Sequence, residues 1–456
     1  MQEAISNLKV RIINLNNPFL ISILKHAPKY FGVSVIGAFV SMLMTKYYTA
    51  VFNPAAFGVL SLYLMLFQYM QNFVAFSVDA SSQRVYFDYE GKERAEFLGT
   101  VIIFMTVSAL FWSVIALFAK NFVVSYFGGS DLLYLSTIAL TVIAMYVTFF
   151  SRIGYNEQLS TLVFRQGLIQ TVFNHLSSFV LIAQFNLGIL GRQMGQVIAF
   201  FLNLVFYRKG LRKSGYLEVV PAFRVDMLRR VLHFAVPAFS TTVIAASLSY
   251  LDRIFLNYYH GAAEVGIFSL GYSIAQSIGL LADAVSMALL PSLMVELAKE
   301  YQANIRKLKH FDILFCSSLA LIGVLIFLSR DLIIHLLSNK NYLHSAEVLP
   351  FIVFAFVMGG FYKTVSTVLS FHSIVWFYPL LSIVAFASSA VLNYSLIPTY
   401  HEVGAAYSNF VGLFLYSLII HVIGSRYFYR LSRILIVYAV IFLLVTYMFA
   451  VFVGII

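Results

Sequence analysis

Nearly uninterrupted apolar windows of 18 or more residues recur from one end of this 456-residue chain to the other. Each is long enough to cross a hydrocarbon core of about 30 Å. In such a core every backbone amide must be satisfied by the protein itself, which leaves helices or closed barrels. Windows this long and continuous select helices. Composition agrees, since 61% of residues are hydrophobic and only 11% charged, against about 25% charged in soluble domains. The expected fold is an all-α polytopic membrane protein.

The windows fall at 30–48, 57–78, 98–119, 132–151, 166–185, 188–207, 232–251, 263–286, 312–329, 348–370, 377–397 and 403–424, with a last stretch at 434–456. Twelve of them read as two six-helix lobes, residues 30–207 and 231–424, joined by a basic cytoplasmic linker at 208–230. Residues 425–456 then form an accessory C-terminal helix, and residues 1–29 a cytoplasmic lead-in. That lead-in has four basic residues but no compact apolar core with a small-residue cleavage site, so it is not read as a signal peptide. The single cysteine, Cys316, excludes an intrachain disulfide and reads as a packing residue. With the N-terminus inside, 23 Lys and Arg fall on inner segments and 5 on outer ones, which supports that orientation. This asymmetry accounts for most of the +11 net charge. No nucleic-acid partner is implied.

Two of the windows are copies. Ala55-Ala56-Phe57-Gly58-Val59-Leu60-Ser61-Leu62, running on to Gln68, matches Ala263-Glu264-Val265-Gly266-Ile267-Phe268-Ser269-Leu270, running on to Gln276, at a constant offset of 208. An even number of spans per lobe makes the repeat parallel, with a pseudo-twofold axis along the membrane normal. Ser61, Gln68, Asn72 and Asp79 follow helical spacing along one face of the first copy, and Ser269, Ser273, Gln276 and Asp283 along one face of the second. Such polar stripes either hold helices together or line a wet cavity. Their presence in both copies favours a cavity on the axis.

Charged residues within or at the ends of spans are candidate functional groups, because burying them in lipid is costly. Lys46 and Arg253 differ by one position from the 208 offset, which places them at matching heights in the two lobes. Snorkelling is the alternative for Lys46, and an ion pair with Asp252 for Arg253. Lys363 lies well inside its span, after Gly359-Gly360, and reads as a cavity group. Arg84 and Arg152, at inner helix ends, fit positive-inside anchoring and complete the set of candidate substrate-binding cations. Arg192 reads as a snorkelling residue. The acidic groups are Asp283, Asp79 and Asp252, candidates for proton or sodium coupling. With so few carboxylates the expected cavity is net positive and suited to phosphate or pyrophosphate. His175, His233 and His372 lack metal-ligand spacing and read as packed or interfacial. No phosphate-cradling glycine loop, His-Glu-x-x-His or Cys-x-x-Cys is present, so neither a cofactor nor a resident metal is expected.

The run Pro54-Ala55-Ala56-Phe57-Gly58 resembles a motif of the polysaccharide and O-antigen flippases of the MOP superfamily, distant relatives of the MATE drug exporters. Three later stretches are similar to that family as well. Pro237 precedes Asp252-Arg253, with Val265-Gly266-Ile267-Phe268 about a dozen residues on. Asn393-Tyr394-Ser395-Leu396-Ile397-Pro398 leads into Gly404-Ala405-Ala406. The likeness spans residues 25–424. It implies a V-shaped pair of lobes that moves undecaprenyl-pyrophosphate-linked oligosaccharide across the bacterial inner membrane by alternating access. It also implies membrane lipids, and a polymerase and glycosyltransferases of the same pathway, as partners. The family's usual Tyr-Gly is replaced here by Tyr400-His401-Glu402 on the expected outer side, and a thirteenth span is unusual for it. An ion-coupled MATE-type exporter and a membrane polysaccharide polymerase or ligase are the alternatives. The first predicts an acidic cavity and the second a large outer loop.

Overall fold

A computed structural model describes residue 37 and residues 39–454, apart from 300, 373, 375–376 and 427–430. The lead-in at 1–29 and the first residues of the opening span lie outside the described residues. The helices are α1 (39–51), α2 (Pro54–Ala75), α3 (Val78–Val85), α4 (Gly91–Phe127), α5 (Asp131–Asn156), α6 (Ser160–Ala183) and α7 (Gly188–Lys213). They continue as α8 (Val225–Tyr259), α9 (Ala262–Lys299), α10 (Tyr301–Leu328), α11 (Arg330–Leu337), α12 (Ser345–Phe371), α13 (Tyr378–Gly424) and α14 (Leu431–Val453). Among the described residues there is no strand, and the expected all-α membrane fold is the one observed.

Nine of the described helices are long and apolar enough to cross a membrane, or ten when α2 and the segment Val78–Asp88, bent by 44°, count as one span. The bend falls at Phe76 and Ser77, both in the left-handed region with φ of 49° and 54°. That region is uncommon for residues other than glycine. A second break lies inside α13, where His401 leaves helical geometry at φ 50° and ψ −134°. The arms on either side fold back on one another, because a Cβ added at Gly404 would lie 2.8 Å from the Leu396 carbonyl oxygen. These are the two separate spans read from sequence. α6, with Arg165, Asn174 and His175, and the partly described α1 lie at two further expected windows but are not among the helices long and apolar enough to cross. α4 and α8, with 37 and 35 residues, are about 55 Å and 52 Å long at 1.5 Å per residue. Both extend well past the apolar windows that announced them.

Several boundaries differ from expectation. The linker at 208–230 is about half helix, since α7 continues to Lys213 and α8 starts at Val225. Residues 214–224 connect them along the surface of α4, where the Val220 N–H donates to the Ala95 carbonyl oxygen at 3.1 Å. α8 serves both halves of the chain. Met227, Val231 and Ala235 pack into one core with Phe97, Met105 and Phe149, while Leu256 packs into another with Phe268, Ile352 and Phe410. Arg192 does not snorkel. It is buried, donates to Asn174 Oδ1 at 3.0 Å and lies over the Tyr48 ring, because the α6–α7 contact encloses it. α14 packs on the second arm of α13, with Tyr407 stacked on Phe449 and Tyr438 bonded to Ser417.

Candidate functional site

The two repeat copies meet in space. Asn53 caps α2 by accepting from the Ala56 N–H, and Pro54 begins the helix, so the chain turns sharply into its first turn. That turn abuts the first turn of α9. A Cβ added at Gly58 would lie 1.7 Å from the Ala262 carbonyl oxygen, and one at Gly266 would lie 2.0 Å from that of Pro54. Both glycines are needed for this backbone approach, the small-residue logic of helix contacts in lipid. One turn further, Ser61 and Ser269 share a hydrogen bond of 2.6 Å. Residues paired in sequence at an offset of 208 are thus paired across the junction.

Arg253 is inserted directly beside this contact. Its Nε donates to Ser61 Oγ at 3.3 Å, and its Nη1 donates to the Ser249 carbonyl oxygen at 3.0 Å and lies 3.4 Å from Asp252 Oδ1. The guanidinium lies over the rings of Tyr272, Tyr250 and Phe268 at 4.2, 5.2 and 5.3 Å. It is 4% exposed and Asp252 is 1% exposed, so each charge depends on the other and on nearby dipoles. Asp252 also accepts from the Arg253 backbone N–H and from Asn409 Nδ2. Residues next to each other on a helix do not ordinarily face one another. Here the short Asp252 side chain stays beside the backbone and the long arginine reaches back to it. Helices α2, α8, α9 and α13 all contribute to this knot.

A cavity of about 150 Å³ adjoins it, with Ser249, Tyr272, Asp283, Tyr362, Lys363 and Asn409 among its lining residues. Lys363 is in direct ion contact with Asp283 across the cavity wall, joining α12 to α9. The expected excess of positive charge is therefore not found there, since one cation and one carboxylate line the cavity. Arg253 is likewise matched by Asp252. Arg152, half-buried, lies 3.7 Å from Asp79, within the first half of the chain and away from this cavity. Arg84 is exposed and lies 4.2 Å over the Phe234 ring, fastening α3 to the start of α8. Lys46 is exposed and lacks an ion pair among the described residues. The five cations are thus not gathered in one place. Arg253 and Lys363 are neighbours around Tyr272, and the other three are elsewhere.

The polar stripes also divide. Ser61 and Ser269 touch, whereas Gln68 and Asn72 are half-buried and Ser273 and Gln276 exposed. Ser273 donates to the Ser269 carbonyl oxygen of its own helix. Sequence reasoning missed the aromatic cage of Tyr250, Phe268 and Tyr272, and the partner Asn409. It also passed over two buried carboxylates, Asp312 and Glu402. Tyr250 and Tyr272 follow the serines of α8 and α9 at helical spacing, a legible signal. Asn409 lies 157 residues from Asp252 and carried none. Among the described residues, the one group close enough to hold a metal is Glu264, His401 and Glu402, and it lies at the break in α13 rather than in this cavity.

A family model described as polysaccharide biosynthesis protein matches residues 23–295. No curated protein matches the sequence. Several solved structures share the fold. An inward-facing multidrug resistance MATE transporter of the MOP superfamily gives a TM-score of 0.69 at 11% identity, covering 89% of this chain and 97% of that one. The lipid II flippase MurJ, in an inward closed conformation, gives 0.69 at 16% identity, covering 94% and 98%. A mutant of the MATE transporter VcmN of Vibrio cholerae gives 0.64 at 15% identity, covering 89% and 98%. At these identities the likeness is one of fold. The family match spans more than half of the residues, so the chain belongs to the polysaccharide biosynthesis protein family and has the multi-pass membrane fold of the MOP superfamily.

Proposed function

We propose that the protein is a transporter rather than an enzyme, and that it flips a lipid-linked oligosaccharide carried on a polyprenyl pyrophosphate across the bacterial inner membrane. The N-terminus is cytoplasmic, so the first turns of α2 and α9 face outward. The polyprenyl tail stays in lipid while the head group crosses between the lobes, residues 30–207 and 231–424. Carrying the head group through hydrocarbon without polar partners is prohibitive, and the protein supplies those partners.

The observation that carries this reading is Arg253 held against Ser61 at the point where the repeat copies meet. Parting α2 from α9 breaks the serine pair and frees the guanidinium towards the space between them. The pyrophosphate then competes with Asp283 for Lys363, and Asp283, once released, takes up a proton or sodium ion. Gln68, Asn72, Ser273 and Gln276 solvate the sugars. Substrate comes from glycosyltransferases on the inner side and passes to a polymerase on the outer side.

The test uses cells that make the polymer and vesicles reconstituted with purified protein and a lipid-linked oligosaccharide. Arg253→Ala and Lys363→Ala are each expected to abolish export at equal protein level. Export unchanged by both would sink the cationic site. A second reading, an ion-coupled exporter of small solutes, is favoured by the balanced charge of the cavity and by Asp283 on its wall. It predicts solute accumulation driven by an ion gradient in vesicles that hold no lipid-linked sugar.

A further inference from the structure

The break in α13 brings an unusual set of side chains to the first turn of α9. Glu264 of α9 and His401 and Glu402 at the break each offer one ligand atom, and these three atoms lie within 4.8 Å of one another. They open onto a cavity of about 270 Å³ that His344 and Glu347 also line, with no Lys or Arg among its lining residues. Glu402 is 7% exposed and has Glu264 as its side-chain hydrogen-bond partner. Glu264 Oε2 is buried without a hydrogen-bond partner. His401 Nδ1 lies 3.8 Å from Glu264 Oε1, and two adjoining carboxylates at an open cavity without Lys or Arg form a site that a cation completes.

We propose that Glu264, His401 and Glu402 bind a divalent transition metal of the zinc class. Imidazole with two carboxylates is a donor set suited to zinc rather than to magnesium or calcium, which take all-oxygen shells. Ligands on a tetrahedral zinc with bonds of about 2.1 Å lie about 3.4 Å apart, so modest side-chain rotation closes the present spacing. The orientation of His401 is already set. His260 stacks on its ring at 3.8 Å, and His260 Nε2 is itself held by the Ile397 carbonyl oxygen at 2.8 Å, which limits rotation of the His401 ring. His401 occupies a backbone conformation that suits glycine, so a large side chain is retained there against local preference. The bound metal would tie the break in α13 to the first turn of α9, two residues before Gly266. At the 208 offset the counterpart of Glu264 is Ala56, and the first copy has no equivalent ligand.

The full-length protein in detergent, stripped with a chelator and titrated with zinc chloride, provides the test. One zinc per chain is expected, with a rise in Tm of several degrees. Glu402→Gln should weaken binding at least a hundredfold. His401→Gly should weaken it as much while leaving the metal-free Tm equal or higher, because glycine relieves the backbone; this separates ligand loss from misfolding. His335→Ala, at an exposed histidine elsewhere, should change neither reading. Zinc binding below one per chain, or equal affinity in wild type and both ligand variants, would overturn the site. A protonated His401 paired with Glu264 predicts the first of those outcomes.

Discussion

The two copies of the repeat agree where they touch and disagree where they are charged. Gly58 and Gly266 approach each other's helices in the same way, and Ser61 meets Ser269. Lys46 and Arg253, at matching places in the two copies, have opposite fates, one exposed and the other buried among Asp252, Ser61 and three aromatic rings. The difference follows from the axis. Residues on it contact their own counterparts, so any change must suit both copies at once. Residues off it face different neighbours and diverge freely. The ligand group at Glu264, whose counterpart is Ala56, is another product of that freedom.

The sharpest way to break the comparison is at the glycines. Gly58→Val and Gly266→Val each drive a branched side chain into the opposite backbone, and each should reduce transport more than tenfold at equal protein level. Two equal losses would uphold the symmetry, and a tolerated change at either position would remove it. Next come the charges. Arg253→Ala strands Asp252 in the protein interior and should destabilise by about 3–5 kcal/mol, read as a large fall in Tm in detergent. Lys46→Ala should leave Tm unchanged, and an equal fall for both would contradict the asymmetry.

The hydroxyl pair tests coupling on a finer scale. Ser61→Ala and Ser269→Ala should each cost about 0.5–1.5 kcal/mol, with the double variant costing less than the sum because the two share one bond. Additive losses would mean that the serines act separately. Small in stability as well is Lys363→Met, since Asp283 is more than half exposed and such pairs contribute roughly 0–1 kcal/mol. Its effect should appear in transport and not in Tm.

Much of this is legible in the sequence, for identifiable reasons. Ser61 pairs with Ser269 as the repeat implies, because a repeat in a symmetric contact records its own geometry, whereas no such contact joins Gln68 to Gln276 among the described residues. The break at His401 was legible as a gap between two apolar windows, and Pro398 and Gly404 mark its flanks. Arg192 was misread, because its depth in the span says nothing of Asn174 and Tyr48, which belong to other helices. The net-positive cavity was misread for a similar reason. Counting acids within spans placed Asp283 correctly, but its contact with Lys363 across 80 residues is a matter of helix packing.

The sequence by itself determined the class of solvent, the helical fold, the duplication and the residues on its axis. Apolar length and internal identity are one-dimensional properties, and lipid tolerates few backbone structures. Only the tertiary structure decided which charges are neutralised, that Arg253 is closed in an aromatic cage, and that Glu264 meets His401 and Glu402. Those outcomes depend on distances between helices far apart in the chain, and Coulomb and hydrogen-bond energies change over a few ångströms.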